Sequence, residues 1–293
     1  MKYNDNEIYQ MTHYLSPWNE LYIYGSNVHH GLGFKNTDMY IPETKKIIVA
    51  EAAVRYDYGY FHTCYLDESG NLYGFGNNEY GQIGPSRGPY LEGATLIDND
   101  VEDFVCGPVS TLYFKNGVAM FLGKMYNSSK TEFVKYPNTI RDYITPYNKV
   151  TYVAMGETVM VYMLKNILEG TSKLYIQGDW AKYNMPATKM EDGDTHFGSI
   201  EVYGEDIKKI IPTRDNLFMI TESTKSENLG EISVIMYGQQ PQFKGYCQTS
   251  AGVRLDKGIT DISISKDQKK LIVVMGNSIY EKPLWVEGDG NKC

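Results

Sequence analysis

The chain has 293 residues and carries 28 lysines and arginines against 36 aspartates and glutamates, a formal net charge of −8. Its composition, 42% hydrophobic and 13% aromatic, excludes wholesale intrinsic disorder and predicts a folded protein with a sizeable core. The acidic balance argues against nucleic acid as a partner, because a protein that neutralises phosphates normally presents a basic surface.

The first dozen residues contain no apolar segment, and no apolar run approaches the roughly 20 residues that cross a bilayer. The sequence therefore predicts neither a signal peptide nor a transmembrane segment. Its four cysteines, Cys64, Cys106, Cys247 and Cys293, show no CxxC or Cys/His ligand spacing. This scatter favours free thiols in a reducing compartment and predicts no metal site. We expect a cytoplasmic protein; the alternatives are the nucleus, or a host cytosol if the protein is an effector.

A short pattern recurs along the chain: two strand-forming residues, a hydrophobic or aromatic residue, and then glycine. In chain order the copies are 21–25 (LYIYG), 72–76 (LYGFG), 119–123 (AMFLG), 174–178 (LYIQG) and 234–238 (VIMYG), with a degenerate sixth copy at 279–283 (IYEKP). From Gly25 to Pro283 the chain advances 258 residues over five intervals, so the period is about 52 residues. Such a period is typical of proteins built from stacked repeats.

Two further strand-forming segments precede the glycine-ended strand. The nearer one is clearest at 59–66, before a turn at 67–71, and recurs at 107–114, 156–162, 215–220 and 267–274. The farther one falls at 47–50, 101–105, 150–154, 207–211 and 259–264. In the last of these, Thr260 and Asp261 interrupt the alternation of apolar and polar residues, and such a slip is tolerable in a short strand that changes face at a β-bulge.

Three or four short strands per repeat, with turns rich in Gly and Asn and no helical period, predict an all-β fold. One such sheet cannot bury both faces alone, and radial stacking covers them. We therefore predict a β-propeller of about six or seven antiparallel blades, as a single domain over residues 1–293. A β-sandwich and a β-solenoid are the alternatives. We expect residues 1–10 to complete the blade formed by 259–286 and to close the ring between the termini.

The segment from 62 to 84 resembles the repeat of the regulator of chromosome condensation family. HTCYL at 62–66 precedes GNLYGFGNNEYGQIG at 70–84. The family carries a His-Thr or His-Ser pair, a leucine, a glycine turn and an aromatic-Gly-x-Asn-x-x-Gly-Gln-Leu-Gly run. Residues 25–33 (GSNVHHGLG) are a partial match, and the remaining copies are eroded. Kelch and WD-type propellers fit less well, since the chain has no Gly-Gly doublet and no Trp-Asp dipeptide.

The repeated glycines have a structural explanation, because positive φ and close approach of neighbouring strands require a residue without Cβ. We assign this role to Gly25, Gly70, Gly76, Gly81, Gly84, Gly123, Gly178 and Gly238. His62 belongs to the repeat signature and is interpreted as a structural blade residue. His29 and His30 are neighbours, and neighbours on an extended chain point opposite ways, which disfavours joint metal binding.

Catalytic patterns are lacking. The chain contains no Gly-x-Ser-x-Gly, Walker or His-Glu-x-x-His motif, and the one approach to a dinucleotide loop, at 74–79, precedes no helix. We predict that the protein is not an enzyme and uses no cofactor.

Negative charge is concentrated in two segments. Residues 187–206 carry six carboxylates against one lysine, and residues 92–103 carry five carboxylates with no lysine or arginine. Both segments follow a glycine-ended strand, so we expect them on the same face of the propeller. These segments are either solvated loops or an acidic face for a basic protein partner. In the second case, the electric field of the acidic face would accelerate encounter with the partner. The candidate partner-binding residues are Glu191, Asp192, Asp194, Asp98, Asp100 and Glu102.

The family resemblance implies a non-enzymatic propeller that binds a protein through loops on one face, and we expect a monomer. The family's best-known activity is guanine nucleotide exchange on the small GTPase Ran. The predicted function is therefore that of a guanine nucleotide exchange factor-like protein for Ran or another Ras-superfamily GTPase. No exchange residue of the family can be matched one by one in this chain. The alternative is an interaction scaffold or inhibitor propeller without exchange activity.

Overall fold

A computed structural model describes residues 11–283 apart from 86, 117, 128–131, 135–147, 157, 167, 169–171, 179, 181–187, 190–196, 203–204, 214–215, 224–231, 239–248, 254–258 and 265–269. Regular structure in these residues is antiparallel β-strand, apart from two 3-10 helices, Val28–His30 and Glu43–Lys45. The predicted all-β class is confirmed. None of the described helices has the length and apolar character needed to cross a membrane.

Contacts divide the chain into two compact units, residues 1–149 and 150–293, which we call the N-terminal and C-terminal units. The single-domain organisation stays a prediction. Ring closure also stays a prediction, because residues 1–10 lie outside the described part of the chain.

Within its described residues, the N-terminal unit contains three sheets and a hairpin. Sheet 1 consists of β1 (Met11–Leu15), β2 (Leu21–Ser26), β3 (Tyr40–Ile41) and β4 (Ile47–Ala50), with β1, β3 and β4 all paired to β2. Sheet 2 runs in the order β5 (Ala53–Tyr58), β6 (His62–Asp67), β7 (Leu72–Asn77) and β8 (Tyr90–Asp98). Sheet 3 contains β9 (Val101–Gly107), β10 (Ser110–Lys115) and β11 (Val118–Gly123), and the hairpin is β12 (Met125–Asn127) with β13 (Glu132–Val134).

The C-terminal unit repeats this organisation. Sheet 4 has β14 (Asn148–Met155), β15 (Val159–Asn166), β16 (Ser172–Gly178), β18 (Phe197–Val202) and β17 (Thr188–Lys189), in that spatial order. Sheet 5 has β19 (Glu205–Pro212), β20 (Asn216–Ser223), β21 (Ile232–Gly238) and β22 (Thr249–Val253). Sheet 6 has β23 (Ile259–Ile264), β24 (Lys270–Met275) and β25 (Ser278–Pro283).

The repeat glycines occupy one register in their sheets. Each pairs with the first residue of the preceding strand, as in Gly25 with Met11, Gly76 with His62, Gly123 with Ser110, Gly178 with Val159, and Gly238 with Asn216. The first four have φ values of 105°, 103°, 88° and 112°. A Cβ at Gly76, Gly123 or Gly178 would lie 2.3–2.6 Å from a backbone carbonyl oxygen next to the paired strand. The structure therefore requires glycine at these positions for both reasons predicted from the sequence.

Apolar cores lie between successive sheets. Leu21 and Ile23 of sheet 1 form one core with Tyr65 and Phe75 of sheet 2. A second core joins sheets 2 and 3 and contains Cys64, Leu72, Phe104, Cys106 and Tyr113. A third core joins sheets 4 and 5 and contains Val161, Ile176, Leu217 and Met219. The sheets of each unit are thus stacked face to face, which buries surfaces that no single sheet could cover.

A bulge recurs in the first strand of several sheets. The register shifts between Ala53 and Arg55, between Ile207 and Lys209, and between Ile259 and Asp261. The last shift falls at the polar pair at 260–261, so a bulge accounts for the interrupted alternation seen in the sequence. The residue that follows the bulge is charged and forms an ion pair with the neighbouring sheet. In the N-terminal unit Arg55 pairs with Asp103. In the C-terminal unit Lys209 pairs with Asp261, with the Lys209 Nζ and Asp261 Oδ1 atoms 2.7 Å apart.

Candidate functional site

The N-terminal unit has two ends at which loops could meet a partner. We call the first of these the glycine end, because it carries Gly25, Gly76 and Gly123. It also carries the long loops that follow Gly25 and Gly76. The other carries the hairpin turns at 16–20 and 67–71 and the connection at 98–101, and we call it the turn end.

An asparagine organises each long loop of the glycine end. Asn78 is buried; its amide donates to the carbonyls of Gly84 and Gly88, both at 3.0 Å, and its oxygen accepts from the Ile83 N–H at 2.8 Å. Asn27, two residues after Gly25, does the same for its own loop. It donates to the carbonyls of residues 34 and 36 and accepts from the N–H of residue 32. The most specific part of the repeat signature therefore builds a loop.

The left-handed positions of the signature loop are glycines. Gly81 has φ 77° and Gly84 has φ 147°, whereas His30, which corresponds to Gly81 in the first repeat, holds φ 63° as a non-glycine residue. His29 packs on Phe61 with ring centroids 4.5 Å apart, and His30 stacks on Tyr90 at 4.1 Å. The two imidazoles therefore pack against different aromatic rings.

Exposed aromatic side chains mark both ends. Tyr40, at the glycine end, is 69% exposed. Trp18, at the turn end, is 77% exposed, and its turn is held by the Trp18 and Glu20 N–H groups, which donate to the Ser16 hydroxyl. A tryptophan this exposed on a fixed turn is available for contact, since aromatic anchors contribute strongly to protein interfaces.

Three turns are joined side by side at the turn end. The Asn19 side chain donates to Glu68 Oε1 at 2.7 Å and so ties the Trp18 turn to the turn at 67–71. The Val101 N–H donates to the Gly70 carbonyl at 2.9 Å, which ties that turn to the connection carrying Asp100. Trp18 and Asp100 therefore stand on one continuous row of turns.

The predicted acidic residues differ in what they contact. Asp98 accepts from Lys115 Nζ at 2.7 Å and from the Tyr113 hydroxyl at 3.0 Å. Burial acts to raise the pKa of Asp98, but the hydrogen bonds, led by that of Lys115, hold it below its ordinary value. Asp100 is exposed with φ 54°, and Glu102 is exposed on β9. Asp98 is thus committed to an internal ion pair, and Asp100 is the more accessible carboxylate.

The second acidic segment is only partly described by the structure. Glu191, Asp192 and Asp194 are outside the described residues, but the strand that follows them begins with Phe197 paired to Gln177, beside Gly178. Asp98 instead pairs with Leu72, at the far end of β7 from Gly76. Residues 92–98 belong to a strand instead of a loop. The expectation that the two segments lie on the same face stays a prediction, and so does the partner site formed by the six carboxylates.

A buried group of polar side chains lies between sheets 2 and 3. His62 Nε2 and Cys64 Sγ lie 3.2 and 3.7 Å from Thr111 Oγ1, and Cys106 Sγ completes the group. Burial lowers the pKa of His62 to about 4 and raises that of the Cys106 thiol. Sequence reasoning missed this cluster because ligand spacing is read along one segment, whereas these residues come from two sheets. The available signal was His-x-Cys on one strand, which places both side chains on the same face.

A related pair joins sheets 1 and 2. His13 Nε2 lies 2.7 Å from Thr63 Oγ1, and the His13 ring stacks on Tyr58 with centroids 4.6 Å apart. Burial lowers the pKa of His13 from 6.5 to about 4.

This shift predicts acid sensitivity. Between pH 6.5 and 4 the unfolded chain binds a proton at His13 that the folded chain does not, so stability is complete above pH 6.5 and is lost as the pH falls. The loss is about 1.4 kcal/mol per pH unit, or about 2 kcal/mol at pH 5. Urea unfolding at pH 7 and pH 5 should show this extra loss in the wild type relative to His13→Gln. Equal losses in the two proteins would contradict the assignment.

Comparison with known proteins agrees with the repeat pattern and the stacked sheets. Residues 57–82 match the family model described as the regulator of chromosome condensation (RCC1) repeat. Curated protein sequences contain no match to the chain. The resemblance predicted from the sequence is confirmed for this repeat, so the chain is built at least in part from an RCC1 repeat.

Solved structures extend the likeness beyond that repeat. Prp20p from Saccharomyces cerevisiae, whose binding to Gsp1p and histones has been described, aligns with 92% of this chain and 68% of its own, at 16% identity and a TM-score of 0.61. Yeast RCC1 (Prp20) in complex with Kap60 aligns with 90% of this chain and 64% of its own, at 14% identity and a TM-score of 0.61. Human WBSCR16 aligns with 76% of this chain and 60% of its own, at 15% identity and a TM-score of 0.53.

These likenesses identify the fold as a β-propeller of the RCC1 type. The chain spans 60–68% of the length of these three relatives.

Proposed function

We propose that this propeller binds a small GTPase of the Ran type, or another Ras-superfamily member, and acts as a guanine nucleotide exchange factor. The observation that carries the proposal is the turn end, where the 77% exposed Trp18 and the exposed Asp100 stand on one hydrogen-bonded row of turns. The fold shared with Prp20p supports the choice of class, because the family resemblance implies exchange on Ran. A fold alone does not fix an activity, so the site carries the argument.

The chemistry of exchange suits an exposed carboxylate. Phosphate oxygens and Mg²⁺ ordinarily satisfy the charges around the P-loop lysine of a GTPase. A carboxylate that reaches this lysine stabilises the nucleotide-free state, and the difference in affinity between the two states releases the nucleotide. Asp100 is suited to this role, whereas Asp98 is held by Lys115. Trp18 would supply apolar contact area beside it.

A release assay tests the proposal. The full-length chain is mixed with mantGDP-loaded GTPases of the Ras superfamily, including Ran, and fluorescence decay is followed. We expect accelerated release from at least one GTPase, and loss of most of that acceleration in Trp18→Ala. Tyr40→Ala, which removes a similarly exposed aromatic side chain from the glycine end, is the matched control and should retain the acceleration. No acceleration with any GTPase would refute the exchange activity.

The two aspartates of the turn end provide a second test, because they sit two residues apart with different contacts. Asp98→Asn breaks the ion pair with Lys115 and should cost about 1 kcal/mol of unfolding free energy. Asp100→Asn should change the free energy of unfolding by less than about 0.5 kcal/mol. It should nevertheless slow association with the GTPase and flatten the salt dependence of the association rate, since exposed charges act over about 8 Å at physiological salt. Urea unfolding and stopped-flow association measure the two effects. If Asp100→Asn associates at the wild-type rate and Asp98→Asn does not, the carboxylate assignment is reversed.

The second candidate function is a scaffold or inhibitor that binds a protein without exchange. The observation that favours it is the exposed tyrosines of the glycine end, where Tyr40 and Tyr58 are 69% and 49% exposed. Tyrosine offers a large contact area at low entropic cost. Binding of a GTPase without nucleotide release, together with weakening by Tyr40→Ala but not by Trp18→Ala, would select this function over the first.

A further inference from the structure

Three metal-ligating side chains meet between sheets 2 and 3 of the N-terminal unit. We propose that His62, Cys64 and Cys106 form a buried structural zinc site that fastens the two sheets together. This inference does not depend on the function proposed above, because all three side chains are buried and none belongs to the turn end on which that function rests.

The distances suit zinc. One ring nitrogen of His62 and the two sulfur atoms all lie within 4.8 Å of one another. Bonds of about 2.3 Å in a tetrahedral site place neighbouring ligand atoms about 3.8 Å apart. The ligands therefore need to close in by about 1 Å at most, which side-chain rotation can supply. Each of the three residues is buried, and His62 and Cys64 have no exposed surface.

The backbone delivers the ligands in a fixed way. His62 and Cys64 are alternate residues of β6, so both face sheet 3. Cys106 comes from β9, and its N–H donates to Asp57 Oδ2 at 2.8 Å, which anchors this part of β9 to β5. A ligand set drawn from two sheets acts as a clamp, because the metal can bind all three only when the sheets are stacked.

The charge of the site also fits. A hydroxyl oxygen, Thr111 Oγ1, adjoins the three ligands, 3.2 Å from His62 Nε2 and 3.7 Å from Cys64 Sγ. Binding Zn²⁺ releases one proton from each thiol to solvent and leaves a neutral centre of one dication, two thiolates and a neutral imidazole. Neutrality matters here, because the site adjoins the apolar core of Leu72 and Phe104, where a net charge would be costly.

The test uses the full-length chain, refolded from urea either with one equivalent of Zn²⁺ or with EDTA, since a buried site is loaded during folding. Zinc per chain is then measured by mass spectrometry of the desalted protein, and thermal unfolding is followed. We expect about one zinc per chain and a melting temperature higher with Zn²⁺ than with EDTA. Co²⁺ in place of Zn²⁺ should give the near-ultraviolet charge-transfer band of thiolate ligands.

Variants locate the site. Cys64→Ser and Cys106→Ser should each weaken apparent zinc affinity at least about 100-fold and reduce the Co²⁺ charge-transfer band. His13→Gln, which alters the corresponding buried His–Thr pair between sheets 1 and 2, is the matched control and should bind zinc like the wild type. Because the comparison of Zn²⁺ with EDTA uses the wild type, it remains decisive if a serine variant does not fold.

Several results would overturn the proposal. They are refolded wild type that holds no zinc, a Co²⁺ complex without a thiolate band, or serine variants that bind zinc like the wild type. A chain two hydrogens lighter than its sequence mass, with a Cys64–Cys106 cross-linked peptide, would also overturn it, because the two sulfurs would then be joined to each other.

Discussion

Replacement of Gly76 by alanine is expected to destabilise the protein by about 4 kcal/mol or more. The new Cβ would lie 2.6 Å from the Phe61 carbonyl oxygen and 3.1 Å from that of Gly31, and both are backbone atoms that cannot rotate away. The φ of 103° adds a conformational cost of about 1–2 kcal/mol for an L-residue. Urea unfolding of the variant measures the sum, and a fall in the midpoint with an unchanged slope is the expected form.

Gly93→Ala separates the two contributions. Gly93 also has a positive φ, 66°, but no atom of the described residues lies within 4 Å of an added Cβ. It should cost only about 1 kcal/mol, the conformational part alone. Equal losses in the two variants would show that backbone overlap at Gly76 contributes nothing, and the steric argument for the repeat glycines would fail.

Asn78→Ala should have an effect of similar size, about 3–5 kcal/mol. The substitution leaves the carbonyls of Gly84 and Gly88 and the Ile83 N–H without their partner inside a buried loop. Each unsatisfied group costs about 1–3 kcal/mol, and entry of water recovers part of it. We also expect faster proteolysis within residues 79–88, measured by mass spectrometry of timed digests.

Asn99→Ala is the control for this variant. Asn99 is exposed, and its side-chain oxygen accepts from Lys115 Nζ at 2.9 Å at the surface. Its loss should change stability by less than about 0.5 kcal/mol and leave proteolysis of 79–88 unchanged. A stable Asn78→Ala protein with an intact loop would mean that the signature asparagine is dispensable for the fold.

Sequence reasoning predicted those parts of the fold that depend on local chemistry. The repeat glycines could be placed because a strained φ admits few other residues. The irregularity near Asp261 was visible because two polar residues break a period of two, and the structure has a bulge there. The signature loop was found as a pattern, but the role of Asn78 follows only from its three hydrogen bonds.

What could not be predicted depends on contacts between distant segments. Lys115 lies outside the acidic segment that contains Asp98, so counting charges along the chain concealed their ion pair. Cys106 reaches His62 only through the stacking of two sheets, which no ligand spacing encodes. In the same way, residues 92–98 were interpreted as a loop because their carboxylates are typical of loops, whereas pairing with β7 makes them a strand.

The ion pairs beside the bulges bear on how similar sheets find the correct neighbour. Sheets of like shape can stack in the wrong order or with another molecule, a characteristic failure of repeat proteins. Arg55 meets Asp103, and Lys209 meets Asp261, so each pair joins opposite charges at the same position of successive sheets. If sheet 2 stacked on a second copy of itself, Arg55 would face the Arg55 of that copy. If sheet 5 did the same, Lys209 would face a second Lys209. Exposed pairs of this kind add little stability to the correct stack, but repulsion between like charges disfavours the exchange of identical sheets between molecules.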